Sequence, residues 1–226
     1  MQLNINNQTV LIPTTLAEIT LGQRIAFHDQ YGKTLDAKLK SIQAMEDEEL
    51  KLIALDMLAD ERAIAFLAFY SGLTVEEVTN YVPAEYVLII DSFIQELLVE
   101  EESKIIADRI IVFDNEEWHL QPTLISRSHP LTAGEYVDAK QIIKDLITEE
   151  RSSYEVLHRL ACIFLRKYQE PYNPLFVEAE HERYQKLLQL PLDAALQVGF
   201  FLNNWIQAFK THSAALNHPE VSQEGI

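Results

Sequence analysis

Ile110-Ile111-Val112-Phe113-Asp114-Asn115-Glu116-Glu117-Trp118-His119-Leu120 reads as two short apolar segments about a turn. β-Branched and aromatic residues flank Asp114-Asn115, two residues that tolerate the left-handed backbone of a tight hairpin. Pro122-Thr123 follows, and then Leu131-Thr132-Ala133-Gly134-Glu135-Tyr136, where Thr132 is a start signal for a helix over Glu135–Ile147. The same order occurs near the N-terminus. Leu3, Ile5 and Thr9–Ile12 flank Asn6-Asn7, Pro13-Thr14 follows, and Thr20 precedes a helix over Leu21–Tyr31.

Further landmarks keep step. Pro83 lies seventy residues after Pro13, Pro191 sixty-nine after Pro122, and Phe93 and Phe201 each follow ten positions later. An ordered set of this kind predicts an internal duplication. The alternative is that Pro-Thr and a nearby Gly recur independently. The expected architecture is mainly α with two short β-hairpins, built as two tandem hairpin-plus-helices repeats packed into one body. Residues 1–104 form the first repeat, 105–216 the second and 217–226 a loose polar tail. No Gly- or Pro-rich linker separates the halves.

Between the landmarks, helices are expected over Asp47–Tyr70, from Thr74 to about Asn80, and from Pro83 to about Lys104. The first carries Leu50, Ile53, Met57, Leu58, Ile64 and Leu67 as an apolar set and ends at Gly72, a natural C-cap. Thr74-Val75-Glu76-Glu77 is a capping box. In the second half Ser153–Tyr168 is amphipathic and Pro171 to Pro174 breaks it, with helices again over Leu175–Gln189 and Pro191–His212.

The 226 residues carry a formal charge of −17. Residues 1–104 hold 18 acidic against 7 basic side chains, and residues 105–226 hold 17 against 11. Such a chain lacks the cations that neutralise phosphates, so neither nucleic acid nor an anionic membrane surface is an expected partner. The single cysteine, Cys162, permits no intrachain disulfide and predicts a cytosolic origin. The first residues lack the basic and apolar regions of a signal peptide, and no apolar run approaches the roughly 18–20 residues that span a bilayer.

Several constellations invite a chemical reading. Glu155–His158 and Glu178–His181 are Glu-x-x-His units, the motif of carboxylate di-iron bundles, with Glu96 and Glu100 as conceivable further ligands. Only twenty-three residues separate the units, and Pro171 and Pro174 lie between them. His158 and Cys162 stand at i, i+4, but Leu157, Leu160, Ile163 and Phe164 place Cys162 among core residues. His181-Glu182 begins like a zincin helix, and Gln185 stands where its second histidine belongs. No Gly-rich phosphate cradle is present, and no catalytic residue, cofactor or metal is expected. The acidic runs Glu46–Glu49 and Glu100-Glu101-Glu102 could dock a basic partner, with a solvated helix end as the alternative reading of each. The first suits a helix N-terminus; the second falls near a C-terminus, which makes it the better docking candidate. Trp118 and Tyr136 are candidate interface anchors, with core or stacking roles as the alternative.

Ile12-Pro13-Thr14 with Glu18-Ile19-Thr20-Leu21-Gly22-Gln23 resembles a start common in small helical proteins of Bacteroidetes-infecting phages, including crAss-like phages. The second half is closer. Phe113-Asp114-Asn115 with Trp118 and Pro122, Leu131-Thr132-Ala133-Gly134-Glu135-Tyr136-Val137-Asp138, and Leu157-His158-Arg159-Leu160-Ala161 look like that group's hairpin and two helical elements. The proline that usually follows the last element is absent from Leu165-Arg166-Lys167. The resemblance implies a non-enzymatic phage protein with no active-site residues to carry over. Such a protein is tail-associated or packaged as cargo in the capsid or tail and delivered with the genome, made in the host cytoplasm, and in contact with portal, tail or ring proteins in several copies. A tail assembly chaperone absent from the finished particle is the alternative, and a di-iron carboxylate protein a remote one.

Overall fold

The computed structural model describes residues 1–5, 8–99, 109–120, 131–148 and 151–202. These residues are mainly helical, with one two-stranded and one three-stranded antiparallel sheet. Strands β1 (Gln2–Ile5) and β2 (Gln8–Leu11) form the first hairpin, with Leu3 opposite Val10. Leu3 is buried and its neighbours are exposed, the period-2 alternation of a half-covered strand.

Helix α1 (Leu21–Phe27) starts at a reciprocal cap. The Thr20 hydroxyl accepts from the Gln23 amide at 3.1 Å, and the Gln23 side-chain oxygen accepts from the Thr20 amide at 2.9 Å. The sequence predicts a stop at Tyr31, whereas the chain continues through a π-turn (His28–Gly32) into α2 (Lys33–Gln43). Gly32 does not break the helix because it holds ordinary right-handed angles, φ −58° and ψ −43°. A Cβ there would lie 2.7 Å from the His28 ring, so glycine lets that ring fold back on the helix.

Helix α3 (Glu48–Ser71) is capped by Asp47, whose carboxylate accepts from the Glu49 and Leu50 amides, and it stops at Gly72 with φ 73°. Helices α4 (Val75–Tyr81), opened by the Thr74–Glu77 box, and α5 (Ala84–Val99), opened after Pro83, pack along α3. Strands β3 (Ile110–Phe113) and β4 (Glu116–Leu120) meet at Asp114 and Asn115, both left-handed at φ 54° and 57°. This is the mirror-image turn that suits strand twist. Helix α6 (Ala133–Thr148) follows, then α7 (Ser153–Phe164) behind a Ser152 cap.

The second half departs from expectation in two places. Helix α7 ends at Phe164, not Tyr168, because Leu165 turns extended and β5 (Leu165–Arg166) pairs with β4. Sheet pairing there replaces the last helical turn. The helix expected over 175–189 is a 3₁₀ turn (Pro174–Val177) and a six-residue helix α8 (Glu182–Leu187). Extended backbone at Glu178 separates them, and the Asn173 and His181 side chains cap the two pieces. The final described helix, α9, covers 192–202.

One apolar cluster runs through both halves, from Leu3, Ile19 and Phe66 to Trp118, Phe164 and Leu190. Among the described residues, three backbone hydrogen bonds join the halves directly. Leu21 donates to the Leu190 carbonyl (2.8 Å), Gly22 to Leu188 (2.7 Å) and Leu192 to Ile19 (2.8 Å). Gly22 is needed for that approach, since a Cβ would sit 2.9 Å from the Leu188 carbonyl oxygen.

Both hairpins lead to a threonine-capped helix, and both Pro83 and Pro191 immediately precede helices. Between those landmarks the first half inserts α2, α3 and α4, where the second has α7, β5, a 3₁₀ turn and α8. Residues 100–108, at the expected boundary, and the expected tail 217–226 lie outside the described residues.

Candidate functional site

The structure disperses the residues that the sequence offers for chemistry. Glu178 and His181 share no helix face, because Glu178 is extended and exposed and His181 caps α8, accepting from the Arg183 amide at 3.1 Å through Nδ1. Glu155, in the first turn of α7, is ion-paired with Arg151, which precedes the helix cap. The Glu96 side chain and Glu100–Glu102 lie outside the described residues. Among the described residues no group of three or more His, Cys, Asp or Glu side chains is placed to hold a metal ion.

His158 is fully buried. Its Nε2–H donates to the Tyr184 carbonyl at 2.9 Å, which fixes the tautomer because a carbonyl can only accept. Nδ1 is then a buried acceptor with no partner among the described residues. The Cys162 sulfur is 3.9 Å from Nε2, and burial pushes the thiol up to about 12. This is a neutral core pair, not a thiolate and imidazolium.

Burial also lowers the His158 pKa, from 6.5 to about 4. Between those values the unfolded chain takes up a proton that the folded chain refuses. The His158 contribution is therefore intact above pH 6.5 and is lost as pH falls towards 4, by about 3 kcal/mol in total. Urea midpoints of wild type and His158→Gln, compared at neutral pH and near pH 4, should show the wild type losing more. Equal losses would contradict the assignment.

Trp118 is not an exposed anchor. It is 3% exposed, on the inner face of β4 opposite Ile111, because the hairpin register turns it inward. The Lys167 ammonium lies 3.9 Å above its ring, and Arg183 and Lys186 stand at 5.3 and 5.7 Å. Glu116 is ion-paired with both lysines at 2.6 Å and accepts a hydrogen bond from Lys186, and these contacts, Lys167 first and then Lys186, hold its carboxyl down at about 2. Tyr136 is half-buried with the Lys140 ammonium 5.0 Å from its ring.

A buried polar frame, not singled out in the sequence, crosses this half. Arg166 on β5 (5% exposed) pairs with Glu135 on α6 (1% exposed) at 2.5 Å. The other Glu135 oxygen accepts from the Thr132 amide at 2.6 Å, closing the α6 cap. Nearby, the Tyr172 hydroxyl donates to Asp138, with burial raising its pKa. Arg183 donates to the Leu165 carbonyl at 2.9 Å, pairs with Glu170 and covers the Phe176 ring at 3.9 Å. Each of these charges has a structural partner. The one sequence signal was Thr132-x-x-Glu135, which marks a cap but not the ion pair thirty-one residues away.

The most unusual surface is on α2 and α3. The far half of α3 is core, with Ala63, Ala65, Phe66, Leu67 and Ala68 buried, yet no residue over 48–62 is buried. That is about 22 Å of helix. Leu50, Ile53 and Met57 lie at i, i+3, i+7 on one face and are 59%, 55% and 62% exposed. The sequence predicts these residues as part of the α3 apolar set; their apolar face is instead open. Beside it, Ser41 and Ile42 of α2 and Ala54 and Leu58 of α3 line a groove of about 260 Å³. Covering the exposed remainder of the three side chains would be favourable by ~1–2 kcal/mol each. Leu52, 67% exposed on another side, shows that apolar residues surround this stretch, the available signal that it lacks a covering element among the described residues.

A polar cavity between α1, α2 and the start of α7 is lined by Arg24, His28, Lys33, Lys40 and Arg151. Four of these already have partners: Arg24 stacks on Tyr154 at 4.5 Å, His28 meets Asp36, Lys33 meets Asp29 and Arg151 meets Glu155.

Among the described residues no helix is long and apolar enough to cross a membrane. Compared with known proteins, the chain matches no family, no curated protein and no solved structure.

Proposed function

We propose that this chain is a non-enzymatic phage protein that acts by contact, as a virion component associated with the tail or packaged as cargo. The observation that carries the contact role is the open apolar face of Leu50, Ile53 and Met57. Contiguous apolar surface of this kind is characteristic of interaction sites. A binding role, as against a catalytic one, is further supported by the fate of the ionisable groups. Glu135, Arg166 and Arg183 are committed to structural partners, and His158 and Cys162 are held neutral.

The phage assignment rests on the motif resemblance, and the motif residues have coherent structural work. Asn115 makes the hairpin turn, Trp118 fills the sheet's inner face, Thr132 and Glu135 cap α6, and His158 ties α7 to α8. The charge of −17 suits a compartment shared with DNA, since the chain would not adhere to it. An open apolar face also serves an assembly chaperone, which would use it to hold a client. Quantitative mass spectrometry of gradient-purified particles against infected-cell lysate separates the two. Stoichiometric recovery in particles is the expected result; abundance in lysate with absence from particles would replace the virion reading with the chaperone.

A further inference from the structure

We propose that the open face of the α2–α3 arm is a docking site for a basic amphipathic helix of a second protein, an inference that rests on the contact role above and names its partner's chemistry. Leu50, Ile53 and Met57 offer the i, i+3, i+7 pattern that accepts a helix laid in a groove, and the groove between Ile42, Ala54 and Leu58 runs beside them. Charge selects the occupant. Residues 44–61 carry seven acidic side chains and one basic, Lys51. Lys51 is bound to Glu48 at 3.2 Å, and Lys38 of α2 is bound to Glu61 at 2.5 Å. Glu46, Glu49, Asp56 and Asp60 are exposed on the arm. A second copy of the arm would bring like charges together, whereas Lys and Arg flanking an apolar stripe would meet carboxylates. Methionine at the mouth of the groove suits a surface that adapts to its ligand.

The test uses the full chain and a synthetic helical peptide of about four turns, with leucine at i, i+3, i+4, i+7 spacing and lysine elsewhere. Fluorescence anisotropy should show binding that weakens as salt rises. The double variant Ile53→Ser, Met57→Ser should bind about tenfold more weakly or worse, with an unchanged thermal midpoint because both side chains are already exposed. Leu88→Ser, at an exposed apolar position on α5, should bind as the wild type does. Absence of binding, or equal binding by the double variant, would overturn the proposal. So would self-association of the chain alone, seen by sedimentation velocity and abolished by the same double variant, because the occupant would then be a second copy. Peptide binding and recovery in particles are separate readouts, so the failure of either identifies which statement is wrong.

Discussion

Glu135→Gln is expected to destabilise the fold by about 3–5 kcal/mol, the usual cost of leaving one charge of a buried pair without its partner. The amide keeps an oxygen for the Thr132 amide, so the α6 cap survives and the loss reports the charge. Arg166 is then left 5% exposed, its backbone fixed in β5 against β4 and its guanidinium unable to reach water. Adding Arg166→Met removes the stranded charge. The double variant should recover at least half of the loss, a coupling that equilibrium urea unfolding can measure directly. A double variant as unstable as the single one would mean that the pair does not hold α6 to the sheet.

Trp118→Ala should cost a similar ~3–5 kcal/mol, through a different cause. The ring fills the space between β4 and the Lys167, Arg183 and Lys186 side chains, and its removal leaves a cavity roofed by cations. The loss of ring–cation attraction adds to the loss of packing. Trp118→Phe keeps a ring and deletes an indole N–H that is buried without a partner among the described residues. It should therefore cost less than about 1.5 kcal/mol. If Trp118→Phe were as damaging as Trp118→Ala in denaturant titration, shape at this position would matter more than the ring's presence.

What could be read from the sequence was what local chemistry decides. The Asp114-Asn115 turn, the Thr20 and Thr74 caps and the Gly72 stop each depend on a few neighbouring residues, and each lies where the residues place it. The misread elements depend on distant partners. Helix α7 stops at Phe164 because β4 is available to pair with Leu165 and Arg166, and no property of Leu165 itself predicts that. The α1 helix runs on through Gly32 because that glycine holds right-handed helical angles, and its missing side chain leaves the space that the His28 ring fills. The site was less legible still. Periodicity placed Leu50, Ile53 and Met57 on a helix, but it cannot say whether an element of the same chain covers them. Trp118 was readable as a large anchor; its direction depended on the hairpin register and on three cations from later in the chain.

A protein that acts by contact through the α2–α3 arm should enter the phage particle and lose its place there when the arm's apolar face is removed. Mass-spectrometric recovery in purified particles, measured for the wild type and for Ile53→Ser, Met57→Ser expressed at the same level, tests this most directly. Stoichiometric wild type in the particle, and a variant that folds normally but is depleted about tenfold, are the expected results. Full incorporation of the variant, or absence of the wild type from particles, would contradict the contact role.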